Sequence, residues 1–218
     1  IGFGCYLEKS GAGGAPKDQV SCSFTDDGRL ILHAVSGSSG QGHETSFAQI
    51  VGEALGIDQT LIEYRAGDPT LSLVGNGTGG SRSLYGTGSA FKNLAANVLA
   101  TATPLAAAAL KTEAAALRFE DGRFVSTGHP LDSAGETSTG ANFPNGCHLA
   151  EIEIDPQTGH TDVLNYVAVD DLGHIVSPAL VKGQVHGGVV QGYGQAFTEQ
   201  IVYDAETSQL LSGSFMDY

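Results

Sequence analysis

Residues 37–45 read GSSGQGHET, and the run of β-formers before them, Arg29 to Val35, gives way there to a glycine and serine loop. Phe47, Ile50, Val51, Ala54 and Leu55 follow at helical spacing, so the order is strand, loop, helix. Gly37, Gly40 and Gly42 let the backbone turn without a Cβ penalty, and the first N–H groups of the helix face the loop without intrahelical acceptors. Such a junction suits an anion, because unpaired amides and the positive end of the helix dipole meet at one spot. A capped turn with no ligand is the plainer use of the same loop.

Two familiar phosphate templates fail. After Gly40 and Gly42 the third glycine of G-x-G-x-x-G is replaced by Thr45, at the position where helix and strand must pack closely. No G-x-x-x-x-G-K-[ST] run occurs either. A phosphate at this loop would have to be held by neutral donors: Gln41, His43, Thr45 and main-chain amides.

The 218 residues are 41% hydrophobic, enough for a folded core, and carry a formal charge of −14. That charge argues against a nucleic-acid backbone or an anionic membrane as partner, since both need a basic footprint. No stretch reads as a membrane span or a signal peptide. Cys5, Cys22 and Cys147 form neither a C-x-x-C pair nor an even set, so they read as reduced thiols of a cytoplasmic protein. A chain that opens on Ile1 and stops at Phe215-Met216-Asp217-Tyr218 in mid-pattern is expected to be a piece of something longer.

From the N-terminus, an apolar segment, Ile1 to Leu7, precedes the glycine-rich loop Gly11 to Gly14. Val20 to Thr25 and Arg29 to Ser36 flank Asp26-Asp27-Gly28 as a hairpin, which feeds a helix over 43–56 and a strand over 60–66. A second glycine-rich run, GNGTGGSRS at 75–83, leads into an alanine- and leucine-rich helical region over 84–117, with Pro104 expected to break or kink it. Ser81, Arg82 and Ser83 there can donate to an anion and set a cation beside it. A hairpin is expected over 117–126 and a polar, aperiodic loop over 127–142.

Residues 147–155 and 161–170 alternate as two strands around Pro156-Gln157-Thr158-Gly159. Ser177-Pro178 then starts a helix, with serine as N-cap and proline at the first helical position. Gly183, Gly187, Gly188, Gly192 and Gly194 all lie within it. Each costs about 0.8–1.0 kcal/mol relative to alanine, so together they cost about 4–5 kcal/mol. Close approach of another backbone or a ligand would offset that, with Val181, Val185 and Val189 on the apolar side. Val202 to Asp204 and Leu210 to Phe215 close the chain as a hairpin.

The fold class is therefore α+β, α/β-like, in two small mixed-sheet-and-helix halves. The divisions read as a lead-in segment (1–18), a first half (19–130), a linker (131–146) and a second half (147–218). No G-x-S-x-G elbow, H-E-x-x-H or paired-cysteine cluster appears. His43, His148 and His186 lie beside glycine loops or strand starts, where histidine more often packs or caps than catalyses. What remains is three loop-to-helix junctions, near residues 40, 80 and 178, which together suggest a large cofactor with phosphates and many hydrogen-bonding edges.

The strings GQGHET, GTGGSRS, FPNGCHLAEIEID, DDLGHIVSPALVKGQVHGGVVQGYGQA and SFMDY, in this order, resemble the molybdenum-binding large subunit of the xanthine dehydrogenase and aldehyde oxidase family. They are most similar to its carbon monoxide dehydrogenase branch, over nearly the whole chain, which corresponds to the second molybdopterin-binding domain. The resemblance implies molybdopterin, in its cytosine dinucleotide form, as the cofactor of the full-length parent. It also implies that the chain alone is inactive and can be empty of cofactor. Gly40, Gln41, Gly42, His43 and Thr45 would line the pterin and phosphates, Gly80, Ser81, Arg82 and Ser83 would also lie on the cofactor, and Gln184 would donate to the pterin side.

The activity implied is oxidative hydroxylation of an aldehyde, purine or N-heterocycle with water as oxygen source, or oxidation of carbon monoxide. The implied partners are the first molybdenum-binding domain of the parent, iron–sulfur and FAD subunits or domains, and a small-molecule substrate. No catalytic residue or metal ligand is assigned in this chain, because the family's general-base glutamate is expected beyond Tyr218. Leu172 stands where many relatives carry cysteine, Ser177 where asparagine is usual, and 131–142 is shorter than in relatives. The rival readings are a noncatalytic domain of the same fold serving as an assembly surface, and a sugar-nucleotide binding module.

Overall fold

A computed structural model describes residues 1–11, 14–111, 114, 117, 119, 133–138 and 140–218. Its contacts divide the chain into two compact units, Ile1–Val176 and Ser177–Tyr218.

The first unit holds two sheets. One is built around the expected Asp-Gly hairpin: β2 (Asp18–Phe24) turns at Thr25–Arg29 into β3 (Leu30–Ala34), with Gly28 at φ 81°. The chain then runs through α1 (His43–Leu55) and returns as β4 (Ile62–Ala66), parallel to β3. Gly56 ends α1 in the left-handed region, its N–H donating to the Gly52 carbonyl, as the sequence leads one to expect of a glycine at that place. The long α2 (Ser83–Leu110) follows, and β5 (Ser133–Thr137) completes the order β4-β3-β2-β5.

One face of this sheet is the core. Val20, Cys22, Leu30, Leu32 and Ala34 alternate inward from β2 and β3. Phe47, Val51 and Leu55 of α1 and Phe91, Leu94 and Val98 of α2 cover them, all from positions at helical spacing. Phe47 sits at the centre, its ring 5.1 Å from both Tyr64 and Phe91. Of the break or kink expected at Pro104, the break does not occur: α2 runs through it as one helix. Pro104 lies on the exposed side of the helix, and the preceding Thr103 hydroxyl donates to the Leu99 carbonyl at 2.7 Å.

The other sheet is antiparallel, in the order β1-β6-β7, from β1 (Gly2–Leu7), β6 (Asn145–Ile154) and β7 (Thr161–Asp171). The turn between β6 and β7 is held by Asp155, whose carboxylate accepts from the Gln157 N–H and the Thr158 hydroxyl. Those bonds hold the Asp155 carboxyl below its usual range. One face carries Phe3, Leu7, Leu149, Val167 and Val169, all exposed.

The sequence-based division at 131–146 differs from the observed one because strands pair across it. The lead-in segment supplies β1, which pairs with β6, and the linker supplies β5, which pairs with β2. Apart from 117 and 119, the hairpin expected over 117–126 lies outside the described residues, as do 127–132 of the loop expected over 127–142, whose residues 133–137 form β5 instead.

The second unit is α3 (Pro178–Phe197) followed by a turn in which Tyr203 and Leu210 make a single bridge, in place of the full hairpin expected. Val181, Val185 and Val189 are half-buried, while nothing in the unit approaches a Cβ placed on Gly183, Gly187, Gly188 or Gly192. The small-residue face of this helix is thus open.

His33, on β3, is 9% exposed, and its Nδ1 has no partner among the described residues. Burial first, then the Arg65 charge, lowers its pKa below the ordinary 6.5, against the opposing pull of Asp68 and Glu63. The unfolded chain therefore binds a proton that the folded chain refuses. Stability should be full above pH 6.5 and fall as pH drops from there through the depressed folded value. Urea titrations across this window should show that dependence in the wild type and a flatter profile in His33→Gln.

Candidate cofactor-binding site

The loop between β3 and α1 closes through two left-handed glycines, Gly40 at φ 103° and Gly42 at φ 78°. Gly42 is the N-cap of α1, and no side chain caps the helix. The first-turn amides are therefore available to a ligand. The only acid in that turn is Glu44. Gly40 and Thr45 are exposed, and Gln41 and Gly42 half-buried.

His43 is placed differently. It is 5% exposed and its ring lies 5.1 Å from that of Phe47, so it is packed as the outermost ring of the core aromatics.

The second loop, 75–82, ends in two consecutive left-handed residues, Gly80 at φ 59° and Ser81 at φ 51°. α2 then starts from Arg82 without a side-chain cap. Nothing described would meet a Cβ on Gly37, Gly40, Gly77, Gly79 or Gly80, so the outer side of both loops is open backbone. Ser81 Oγ donates to Glu8 Oε1 at 2.8 Å, and Ser83 is buried at the head of the helix.

The two loops lie side by side. Thr78 Oγ1 donates to the Gly37 carbonyl, and Ser36 Oγ donates to the Asn76 carbonyl at 3.2 Å. Ser36 Oγ also lies 2.8 Å from Thr87 Oγ1 on α2, and its carbonyl accepts from Tyr64 Oη. Burial, then the charge of Glu44, raises the Tyr64 pKa, so the phenol keeps the proton it donates. Ser36, 1% exposed, is the residue that joins both junctions, and sequence alone did not single it out. The available signal was a hydroxyl at the buried end of a strand, one residue before the glycines.

Arg82 is not free beside the loop. Its guanidinium grips Asp18 of β2, with Nη2 2.5 Å from Oδ2 and Nη1 3.3 Å from Oδ1, and Nε donates to the Gly11 carbonyl at 2.9 Å. Both side chains are buried, at 7% and 5% exposure. Asp18 Oδ1 also accepts from the Asn76 N–H at 3.0 Å, so the pair fastens the second loop to β2. Gly86 makes room for it, since a Cβ there would come 2.7 Å from Asp18 Oδ2.

Gln184 and the junction at Ser177 belong to the second unit. Ser177 is the N-cap of α3 with no side-chain cap bond, and Gln184 is exposed on the helix. His186 is exposed there too, whereas His148 is taken up by Asp170 (3.0 Å) and the Tyr166 hydroxyl (2.9 Å). The structure thus brings together nine of the ten candidate residues at the first two junctions, with Arg82 and His43 turned inward.

A family model described as the molybdopterin cofactor-binding domain matches residues 1–136 and 126–218. The chain belongs to that family. Among relatives of this cofactor-binding domain, the carbon monoxide dehydrogenase large chain of Hydrogenophaga pseudoflava is 30% identical over 252 residues, covering all of this chain and 31% of that protein. The nicotine 6-hydroxylase large subunit of Paenarthrobacter nicotinovorans is 30% identical over 258 residues, with 100% and 31% covered.

Among solved structures, a Cu,Mo-CO dehydrogenase superposes with a TM-score of 0.87 at 27% identity, covering the whole chain and 31% of that protein. Quinoline 2-oxidoreductase from Pseudomonas putida 86 gives 0.82 at 27%, with 100% and 32% covered. The domain thus spans about a third of the length of the relatives it matches. Both alignments run longer than the 218 residues of the domain, so these relatives carry extra residues within this span.

The residues present fit a molybdopterin cofactor. Ser38 Oγ is buried in the first loop without a partner among the described residues, a donor that a ligand can satisfy, and the exposed glycine backbones beside it leave room for one.

Removing one member of a buried ion pair costs about 3–5 kcal/mol because the other is left uncompensated. Asp18→Ala should lower the unfolding free energy by about that amount in urea denaturation. Adding Arg82→Met should recover part of the loss, whereas a change below about 1 kcal/mol in the single variant would show the pair to be a surface-type contact.

Proposed function

We propose that this chain is the second cofactor-binding domain of a molybdenum hydroxylase large subunit, and that the two adjoining junctions hold the pterin and phosphates of molybdopterin cytosine dinucleotide. The observation that carries the reading is that two helix starts without side-chain caps follow loops joined to each other through Ser36 and Thr78, so that unpaired first-turn amides belong to adjoining junctions. Neutral donors are what a phosphate needs here, because Arg82 is already neutralised by Asp18 and the chain is strongly acidic.

The cofactor, when bound, supplies the metal centre for two-electron oxidation with water as the oxygen source. The residues of this chain bind and orient it: backbone N–H groups at 40–45 and 79–83 donate to the phosphates, and Ser38 and Gln41 donate to its polar edges. The proton-abstracting glutamate, the first molybdenum-binding domain and the iron–sulfur and FAD partners come from elsewhere in the assembly. The substrate class is an aldehyde, purine, N-heterocycle or carbon monoxide. An assembly role without cofactor is the second reading, favoured by the exposed apolar face of Phe3, Leu7 and Val169.

Molybdenum content by mass spectrometry, and cytidine monophosphate released by acid hydrolysis of the full-length parent, separate the two. Equal amounts of both per chain are expected. Ser38→Ala and Gln41→Ala should each weaken retention about fivefold, the effect of one net hydrogen bond of about 1 kcal/mol, without lowering the melting temperature. A well-folded parent that takes up neither species would support the assembly role.

A further inference from the structure

The two sheet strands β1 and β6 set Cys5 directly opposite Cys147, 142 residues apart in sequence. Their sulfurs are 3.1 Å apart, and both side chains are exposed. Directly opposed residues of an antiparallel pair have Cα atoms about 4.5–5.5 Å apart, inside the roughly 4.4–6.8 Å range of a disulfide. Both thiols point from the same face, so bringing the sulfurs to about 2.05 Å needs rotation about the two Cα–Cβ bonds and no change of register. Phe3, Leu7, Leu149 and Val169 surround the pair and carry no charge to oppose its closure.

We propose that Cys5 and Cys147 form a reversible disulfide that fastens β1 to the sheet. The step is thiol–disulfide exchange with a low-molecular-weight disulfide. One cysteine, as thiolate, attacks the reagent and expels one of its sulfurs, leaving a mixed disulfide. The second cysteine then attacks the protein sulfur of that adduct and expels the other. One sulfur–sulfur bond breaks in the reagent and one forms between Cys5 and Cys147. The two protons given up by the cysteines leave on the two reduced thiols.

β1 needs such a fastening. It is an edge strand with Gly2 and Gly4 among its six residues, a composition that weakens pairing. The residues that follow it bear on the second junction, since Glu8 accepts from Ser81 and the Gly11 carbonyl accepts from Arg82. Cross-linking 5 to 147 closes a loop around the first sheet and both of its helices, which constrains the unfolded chain most when the loop is long.

The full-length parent, purified reduced, is incubated with oxidised glutathione, quenched with an alkylating agent, digested and mapped by mass spectrometry without reduction. The expected product is a Cys5–Cys147 linked peptide pair lighter by two hydrogens than its reduced components, cleaved by dithiothreitol. Oxidised wild type should also melt at a higher temperature than reduced. In Cys147→Ser the pair vanishes and Cys5 is recovered as the glutathione adduct, which reports its exposure in a folded chain. The proposal is overturned if Cys5 and Cys147 of the wild type are recovered unlinked, as adducts or as alkylated thiols, or if Cys22 forms the cross-link in their place.

Discussion

A guanidinium inside a protein must be matched by a carboxylate and by acceptors for its remaining protons, and the pairing of Arg82 with Asp18 meets that requirement at the base of the second glycine loop. The rest of the site depends on it. Asp18 holds the Asn76 N–H, Asn76 holds Ser36, and Ser36 holds Thr87 and Tyr64, so β2, β4, both loops and α2 are tied in one chain of bonds. Gly86 and Gly75 keep their hydrogens because a side chain would push into Asp18 or Val35. The cation that the Ser81-Arg82-Ser83 run offered to a ligand instead holds the loop, and the loop is left to offer amides.

On the proposed reading, that division of labour is how an acidic domain would hold a phosphorylated cofactor. Long-range attraction is absent, with a net charge of −14. What remains is short-range: left-handed glycines at 40, 42 and 80 that turn N–H groups outward, helix starts without side-chain caps, and a buried hydroxyl on Ser38 without a partner. Such sites discriminate by geometry more than by charge.

Local chemistry was legible in the sequence wherever it decides the structure alone. The Asp-Gly turn, the Gly56 helix end, the start of α3 at Ser177-Pro178 and the hairpin around Asp155 all read directly from residue type. Long-range pairing was not. Nothing near Ile1 announces that β1 pairs with residues 145–150, and nothing near Ser133 that it pairs with Cys22, because strand partners are chosen by the fold and not by neighbours. The same limit applies to Arg82, whose motif reads as a phosphate ligand until Asp18 is seen beside it, and to Cys5 and Cys147, which no local spacing relates. Pro104 reads as a break because propensity ignores which side of the helix faces solvent.

The central claim is that the bends near residues 40 and 80 serve one ligand together. Hydrogen–deuterium exchange of the full-length parent, with its molybdopterin cofactor present and after its removal, tests this most directly. The account predicts that amides of 38–45 and of 79–84 gain protection together when the cofactor is bound. Protection of one loop with the other unchanged, or of neither, would contradict it.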